Sequence, residues 1–254
     1  MTPTPVETLM QMSHELVRLF GYGPRAECRM LEHGCIALSG EAAADLNMAV
    51  LTGQASGDDL DEVLAAVRAK GVDALLVVEE GADAVRAMAT EAGLTEVGQM
   101  PIMLRGPADV TPRSDFTVRI AAPEDADIGN RLAAEAFSLD EAMCAAATPA
   151  ALLRAGAELW VAEEDGAPVG SGMFLRAGDQ VGIYIMATPP AHQRRGVGRA
   201  VLETAMAHYQ AGGVTRFMLG ATEMGYPLYE RSGFRTVLQP HVFVIGASTQ
   251  FPGH

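Results

Sequence analysis

The chain has 254 residues, of which 49% are hydrophobic and 20% charged, and this mix excludes a disordered chain, a collagen-like repeat and a coiled coil. Its 18 Lys and Arg against 32 Asp and Glu give a net charge of −14, which disfavours binding to nucleic acid or to an anionic membrane. The histidines are scattered and no CxxC pair occurs, so we expect free thiols and no metal site.

The N-terminal segment predicts an amphipathic helix rather than a signal peptide. Leu9, Met12, Leu16 and Leu19 recur at helical spacing, without a basic start or a small-residue cleavage site. No stretch of the sequence approaches the ~18 apolar residues of a membrane span. We therefore expect a cytoplasmic protein.

A segment rich in turn-forming residues divides the sequence. Residues 105–115 hold two prolines and a glycine and lack periodicity, which predicts a linker. We predict one domain at 1–104 and a second at 116–254.

The second half alternates predicted strands and helices. Strands are expected at 116–121, 159–162, 169–175, 181–188 and 215–219, near 236 and at 241–245. Helices are expected from 122 to about 157 with breaks near 138 and 149, and at 198–210 and 226–232. This order predicts an α/β (α+β) fold, a mixed sheet with helices packed on it.

The two halves share a pattern at an offset of 140 residues. Gly93–Leu104 aligns with Gly233–Val244 at this offset, with three identical positions, and 71–77 aligns with 213–219 upstream at an offset of 142. Chance repetition of an α/β pattern is the alternative, but we interpret the pattern as a duplication.

A glycine- and arginine-rich loop, Gln193-Arg-Arg-Gly-Val-Gly198, leads into the predicted helix at 198–210. Glycines let a backbone approach an anion, and a helix start attracts it with free N–H groups and a positive dipole end. Arg194 and Arg195 add forked donors that suit phosphate oxygens. The loop therefore predicts a phosphate site, with a turn bearing solvated arginines as the alternative. It matches neither GxGxxG nor GxxxxGK[ST], which disfavours dinucleotides and nucleoside triphosphates.

These residues resemble a known family. Gln193-x-x-Gly196-x-Gly198, after a strand and Pro190, resembles motif A of the GNAT superfamily of N-acetyltransferases. Leu228-Tyr-Glu-Arg-Ser-Gly-Phe234 resembles that family's LYxxxGF element, and the segment from Val118 to Ala126 resembles its first strand and helix. The resemblance covers about 116–245 and implies a GNAT-like acyl-CoA N-acyltransferase fold. Together with the repeat, it predicts two tandem GNAT-like halves.

The resemblance implies an N-acetyltransferase that uses acetyl-CoA as co-substrate and in which the acceptor amine attacks the thioester directly. It implies that the CoA pyrophosphate binds to the loop residues Gln193, Arg194, Arg195, Gly196, Val197 and Gly198, with Arg199 close by. It implies that the pantetheine arm pairs with Met186, Ala187 and Thr188, where a backbone N–H polarises the thioester carbonyl. Tyr229 matches the tyrosine that protonates the leaving thiolate, and a packing role is the alternative.

Several positions depart from the family pattern. Thr222 stands where many members carry an Asn that bonds the CoA arm, and no Glu lies within 181–188 to act as general base. Glu223 is a candidate base acting through water, although a plain surface acid is the favoured interpretation. In the first half, Asp58 and Asp59 occupy the place of the loop, where they suit a helix start and repel a pyrophosphate. We therefore expect 1–104 to be a degenerate GNAT-like domain.

The acceptor is expected to be a small-molecule amine or a protein amino group, and a homodimer is left open. The alternative function is a catalytically weak GNAT-like module that binds CoA or regulates a partner.

Overall fold

The computed structural model describes residues 3–108, 110, 112 and 115–246. The chain divides into two compact units, the first drawn from the ranges 1–101 and 237–254 and the second from 102–236. Both units are mixed α/β structures, which confirms the predicted fold class.

The described helices are α1 (Pro5–Phe20), α2 (Gly57–Lys70), α3 (Asp83–Glu91), α4 (Ala126–Phe137), α5 (Glu141–Ala147), α6 (Ala150–Arg154), α7 (Val197–Ala211) and α8 (Tyr226–Arg231). The described strands are β1 (Glu27–Leu31), β2 (Gly34–Leu38), β3 (Asn47–Leu51), β4 (Ala74–Val78), β5 (Thr95–Gln99), β6 (Ile102–Arg105), β7 (Thr117–Ile120), β8 (Ala157–Glu164), β9 (Ala167–Ala177), β10 (Gln180–Ala187), β11 (Arg216–Gly220), β12 (Arg235–Leu238) and β13 (His241–Ile245).

The first unit contains a sheet of the order β1-β2-β3-β4-β13-β5, in which β3 and β4 are parallel. The predicted N-terminal helix is α1, and the four apolar residues that predicted it are buried. Thr4 and Glu7 form a capping box at its start, which satisfies N–H groups that a helix leaves unpaired. Apolar residues of α2 and α3 pack with the sheet residues Ile36, Leu76 and Phe243 in one core.

The second unit contains a sheet of the order β12-β6-β11-β10-β9-β8-β7, in which β10 and β11 are parallel. The predicted helical stretch from 122 onward breaks, as expected, into α4, α5 and α6. Helix α7 packs on the sheet through a core that includes Phe174, Val201 and Phe217.

Each sheet contains one strand from the half of the sequence that forms most of the other sheet. Strand β6 lies between β11 and β12, and the last strand, β13, lies between β4 and β5. These two strands are the ones that align at the 140-residue offset. The compact units therefore have other boundaries than the predicted domains 1–104 and 116–254. The two domains stay a prediction about the halves of the sequence. The sequence pattern contains no signal for this exchange, because strand pairing is decided by the whole fold.

The predicted linker begins within a strand. Arg105 is the last residue of β6 and is buried, and its Nη1 donates to the Met206 sulfur at 3.0 Å. Residues 109, 111, 113 and 114 lie outside the described part of the chain. None of the described helices is both long and apolar enough to cross a membrane.

Candidate functional site

Strands β10 and β11 run together and then diverge. Their register joins residues 180–182 to residues 216–218, whereas β10 continues to Ala187 and β11 to Gly220. The other edge of β10 stays paired with β9 as far as Ala187. The predicted pantetheine contacts Met186 and Ala187 therefore lie where β10 has separated from β11.

A bulge interrupts β10 within this diverging part. The register with β9 shifts between Tyr184 and Ala187, and Ile185 has a φ of +48°. A β-branched residue rarely adopts this left-handed conformation, and such strain costs about 1–3 kcal/mol. Bulges turn a strand and are common beside active sites, so the bulge adds a second reason to consider this part of β10.

Helix α7 begins without a side-chain cap. Its N-cap residue is Gly196, with a φ of +90°, and Arg194 is also left-handed with a φ of +62°. The first intrahelical bond joins the Ala200 N–H to the Gly196 carbonyl at 2.9 Å. The N–H groups of Val197 and Gly198 precede that bond, so helix geometry gives them no internal acceptor.

The charged side chains of the loop differ in their partners. Arg195 forms an ion pair with Glu164, and Arg199 Nε lies 2.7 Å from Glu203 Oε1. Within the described residues, Arg194 has no ion-pair partner. Gln193 Nε2 donates to the Thr188 carbonyl at 3.1 Å, which ties the loop to the end of β10.

Tyr229 lies on α8, where its ring is 7% exposed and meets the ring of Phe234 edge to face at a centroid distance of 6.0 Å. Burial raises the pKa of Tyr229 to about 12, so the phenol keeps its proton at neutral pH. The hydroxyl has no hydrogen-bond partner among the described residues.

The departures at 222–225 have a local structural role. The Thr222 hydroxyl accepts a hydrogen bond from the Gly225 N–H at 3.1 Å, just before α8 begins. A Cβ at Gly225 would lie 2.9 Å from Tyr229 Cε2, so the glycine gives the tyrosine ring its space. Glu223 is exposed, as the surface interpretation expects.

The glycine-rich loop, the end of β10 and the LYxxxGF element meet at Gly198. A Cβ built there would lie 3.3 Å from Leu228 Cδ2 and 3.7 Å from Thr188 Oγ1. The start of α7, the end of β10 and the helix that carries Tyr229 are thus neighbours.

Sequence reasoning missed Glu164 and also Gly170, which lies opposite Val197. The Gly-Ser-Gly run at 170–172 within a strand was a usable signal, because such glycines mark close backbone approach.

In the first unit, the ends of the parallel strands β3 and β4 and the start of α2 have hydrogen-bond partners within the protein. Strands β3 and β4 pair to their ends, and the Glu79 N–H extends the pairing to the Leu51 carbonyl at 3.1 Å. The Gly53 N–H donates to Glu79 Oε2 at 2.6 Å. Ser56 and Asp59 form a capping box at the start of α2.

Comparisons with known proteins agree with this geometry. Residues 155–236 match the family model of the acetyltransferase (GNAT) domain. A mycothiol acetyltransferase of Propionibacterium freudenreichii subsp. shermanii is 35% identical over 80 residues, which are 30% of this chain and 22% of that protein. A GCN5-related N-acetyltransferase from Kribbella flavida superposes with a TM-score of 0.67 and 18% identity, over 97% of this chain and 96% of that one. A tandem GNAT protein from the clavulanic acid biosynthesis pathway gives 0.59 and 13%, over 98% and 96%.

The diverging parallel strands and the uncapped, glycine-rich helix start both lie within the matched range 155–236. The match over residues 155–236 agrees with the GNAT resemblance of the sequence motifs, and the fold of the chain is similar to that of GNAT proteins. Its two sheets are consistent with tandem GNAT-like halves. No group of three or more metal-ligating side chains occurs within the described residues.

Proposed function

We propose that the protein is an acetyl-CoA-dependent N-acetyltransferase whose active site lies in the second unit. The observation that carries the proposal is the divergence of β10 from β11 next to the uncapped start of α7. An open strand edge offers backbone groups to an amide-containing arm, and a bare helix start offers N–H groups to phosphates.

The loop 193–198 holds the CoA pyrophosphate in this proposal. The N–H groups of Val197 and Gly198 and the αL residues before them suit an anion. Arg194 has no ion pair within the described residues, unlike Arg195 and Arg199. It can therefore bind a phosphate without giving up a carboxylate partner. Arg195 and Arg199 contribute less, because Glu164 and Glu203 already compensate their charge. Met186, Ala187 and Thr188 line the pantetheine arm.

The acceptor amine attacks the thioester carbonyl, the new C–N bond forms and the C–S bond breaks. Tyr229 then gives its phenolic proton to the departing thiolate. The acetylated nitrogen loses its extra proton to solvent, and a proton from solvent restores the Tyr229 phenol. The pKa of Tyr229, about 12, keeps the donor protonated throughout the neutral range. Support for direct attack comes from the cysteines, since burial raises the pKa of Cys28 to about 11 and of Cys35 to about 12 and also raises that of Cys144. Such thiols are poor nucleophiles.

The acceptor class is a small-molecule amine or a protein amino group. The net charge of −14 attracts a cationic acceptor by long-range steering. A cytoplasmic location suits the three free thiols and is part of the proposal. A homodimer remains a prediction that oligomeric-state measurements decide.

The test is turnover by the full chain. Acetyl-CoA is titrated by calorimetry, and a panel of amines is then screened for release of free thiol. Binding with turnover of at least one amine supports the enzyme. Binding without turnover of any amine supports the alternative, a GNAT-like CoA-binding module, and absence of binding contradicts the enzyme and leaves only a regulatory module that does not use CoA.

A further inference from the structure

Strand β9 passes directly beneath the start of α7 at Gly170. A Cβ built on Gly170 would lie 2.4 Å from Val197 Cγ1, 3.1 Å from the Ala187 carbonyl oxygen and 3.3 Å from Thr188 Oγ1. Distances under 3.0 Å essentially never occur around a real Cβ. Any side chain at position 170 therefore requires its neighbours to move.

The neighbours of Gly170 have little freedom to move. Val197 is 1% exposed and is the first residue of α7, where a β-branched side chain is held in one main rotamer. The second atom is a backbone oxygen at the end of β10. A methyl group at position 170 is therefore accommodated by lifting the first turn of α7 away from the sheet.

Gly172 makes a useful contrast on the same strand. Its Cβ would lie 2.4 Å from Met186 Sδ, near the end of a flexible side chain. Methionine can turn such an atom aside, because it has three rotatable bonds. The requirement for glycine is thus stricter at position 170 than at position 172.

We propose that Gly170 is a positioning residue of the acetyl-CoA site. By lacking a side chain it sets the distance between β9 and the first turn of α7. That distance fixes where the N–H groups of Val197 and Gly198 stand relative to the end of β10. The proposal rests on the proposed function, since it assumes that these groups hold the pyrophosphate.

The test compares Gly170→Ala with a control glycine that is also crowded, between two other elements of the second unit. Gly170→Ala is expected to weaken acetyl-CoA binding about tenfold, or about 1.4 kcal/mol, because overpacking at the site moves the N–H groups. The kcat at saturating acetyl-CoA is expected to stay within about threefold, because Tyr229 and its helix are unaltered. In the control Gly129→Ala, the new Cβ meets Leu159 Cδ1 at 2.8 Å, between α4 and β8. That variant is expected to lower the Tm while the Kd stays within about twofold.

A rescue variant identifies the atom responsible. In Gly170→Ala combined with Val197→Ala the nearest clash is removed, so the Kd is expected to return to within about threefold of Val197→Ala alone. No recovery in the double variant overturns the proposal, as does equal binding by Gly170→Ala and the unaltered protein. If Gly170→Ala does not fold, recovery of folding and binding in the double variant supports the proposal, and failure to recover overturns it. Absence of binding by the unaltered protein contradicts the proposed function instead.

Discussion

In each unit, the ends of two parallel strands lie near the start of a helix, but the backbone groups there differ in whether they have partners within the protein. In the first unit, β3 and β4 stay paired to their ends, and Glu79 closes the remaining gap with its own N–H and carboxylate. In the second unit, β10 leaves β11 after Gly182. One pair of strands thus satisfies its backbone internally, and the other leaves backbone groups for a ligand.

The starts of α2 and α7 also differ, because a side chain caps the first and none caps the second. Ser56 and Asp59 exchange hydrogen bonds at the start of α2, and the bond from the Ser56 N–H lowers the pKa of Asp59. Helix α7 has Gly196 and no side-chain cap at the equivalent place. A carboxylate thus occupies the positive end of one helix, while two arginines precede the other. Under the proposed function, the internal partners at the start of α2 take the positions that a pyrophosphate takes at the start of α7.

The largest expected effect concerns a residue that the first unit lacks. Ala89 stands four residues before Gly93, as Tyr229 stands four before Gly233. Tyr229→Phe is expected to lower kcat by about 100-fold, because it removes the proton donor and keeps the buried ring. Acetyl-CoA affinity is expected to change little, since the thiolate develops only in the transition state.

Tyr226→Phe is the matched control for Tyr229→Phe. Tyr226 lies on the same helix as Tyr229, and its hydroxyl accepts a hydrogen bond from the Thr236 hydroxyl at 3.2 Å. A small change in kcat is expected there. Equal losses in the two variants would make Tyr229 a packing residue.

The next effect tests the uncapped start of α7. Gly196→Asp is expected to weaken acetyl-CoA binding by about 30-fold or more, because it adds both left-handed strain and a negative charge beside the pyrophosphate. Calorimetry measures the loss. Gly196→Asn has similar strain and no charge, so it is expected to bind better than the aspartate variant. An aspartate variant with native affinity would place the pyrophosphate elsewhere.

The third prediction concerns the closed unit. Acetyl-CoA is expected to bind at one site per chain, and Ser56→Ala is expected to leave both stoichiometry and Kd unchanged. Loss of this cap is expected to lower the free energy of unfolding by about 1 kcal/mol. Denaturant unfolding and calorimetry check the two parts. Two sites per chain would show that the internal partners of the first unit do not exclude the ligand.

The smallest effect concerns the ion pair of Arg195. Glu164→Gln is expected to tighten acetyl-CoA binding by about two- to fivefold, since it removes a negative charge near the phosphates and frees the guanidinium. Glu163→Gln is the control, because Glu163 pairs with Arg119 at 2.8 Å. Weaker binding by Glu164→Gln would mean that Glu164 orients Arg195 for the ligand.

Local patterns in the sequence were sufficient to predict much of the fold and the main candidates for the site. The helical spacing of Leu9 to Leu19 predicted α1, and the glycines and arginines at 193–198 predicted the loop. The acids at 58 and 59 predicted a capped helix start, although the cap itself is Ser56. Each of these features depends on residues within one or two turns of each other.

Features that depend on distant pairing were not predictable from the sequence. The divergence of β10 and β11 and the closure by Glu79 require knowledge of which strands are neighbours. The ion pair of Glu164 with Arg195 joins residues 31 positions apart. The role of Gly170 appears only when Val197 is known to lie opposite it.

The exchanged strands also constrain the order in which the protein can be completed during synthesis. Within the described part of the chain, strand β5 is joined to the rest of its sheet only through β13, the last of the described strands. A ribosome releases residues 95–99 long before residues 241–245. The edges of β4 and β5 must therefore wait unpaired for most of translation, and unpaired edges are prone to aggregation. The sheet of the first unit is therefore completed only after residues 102–236 of the second unit have been synthesised.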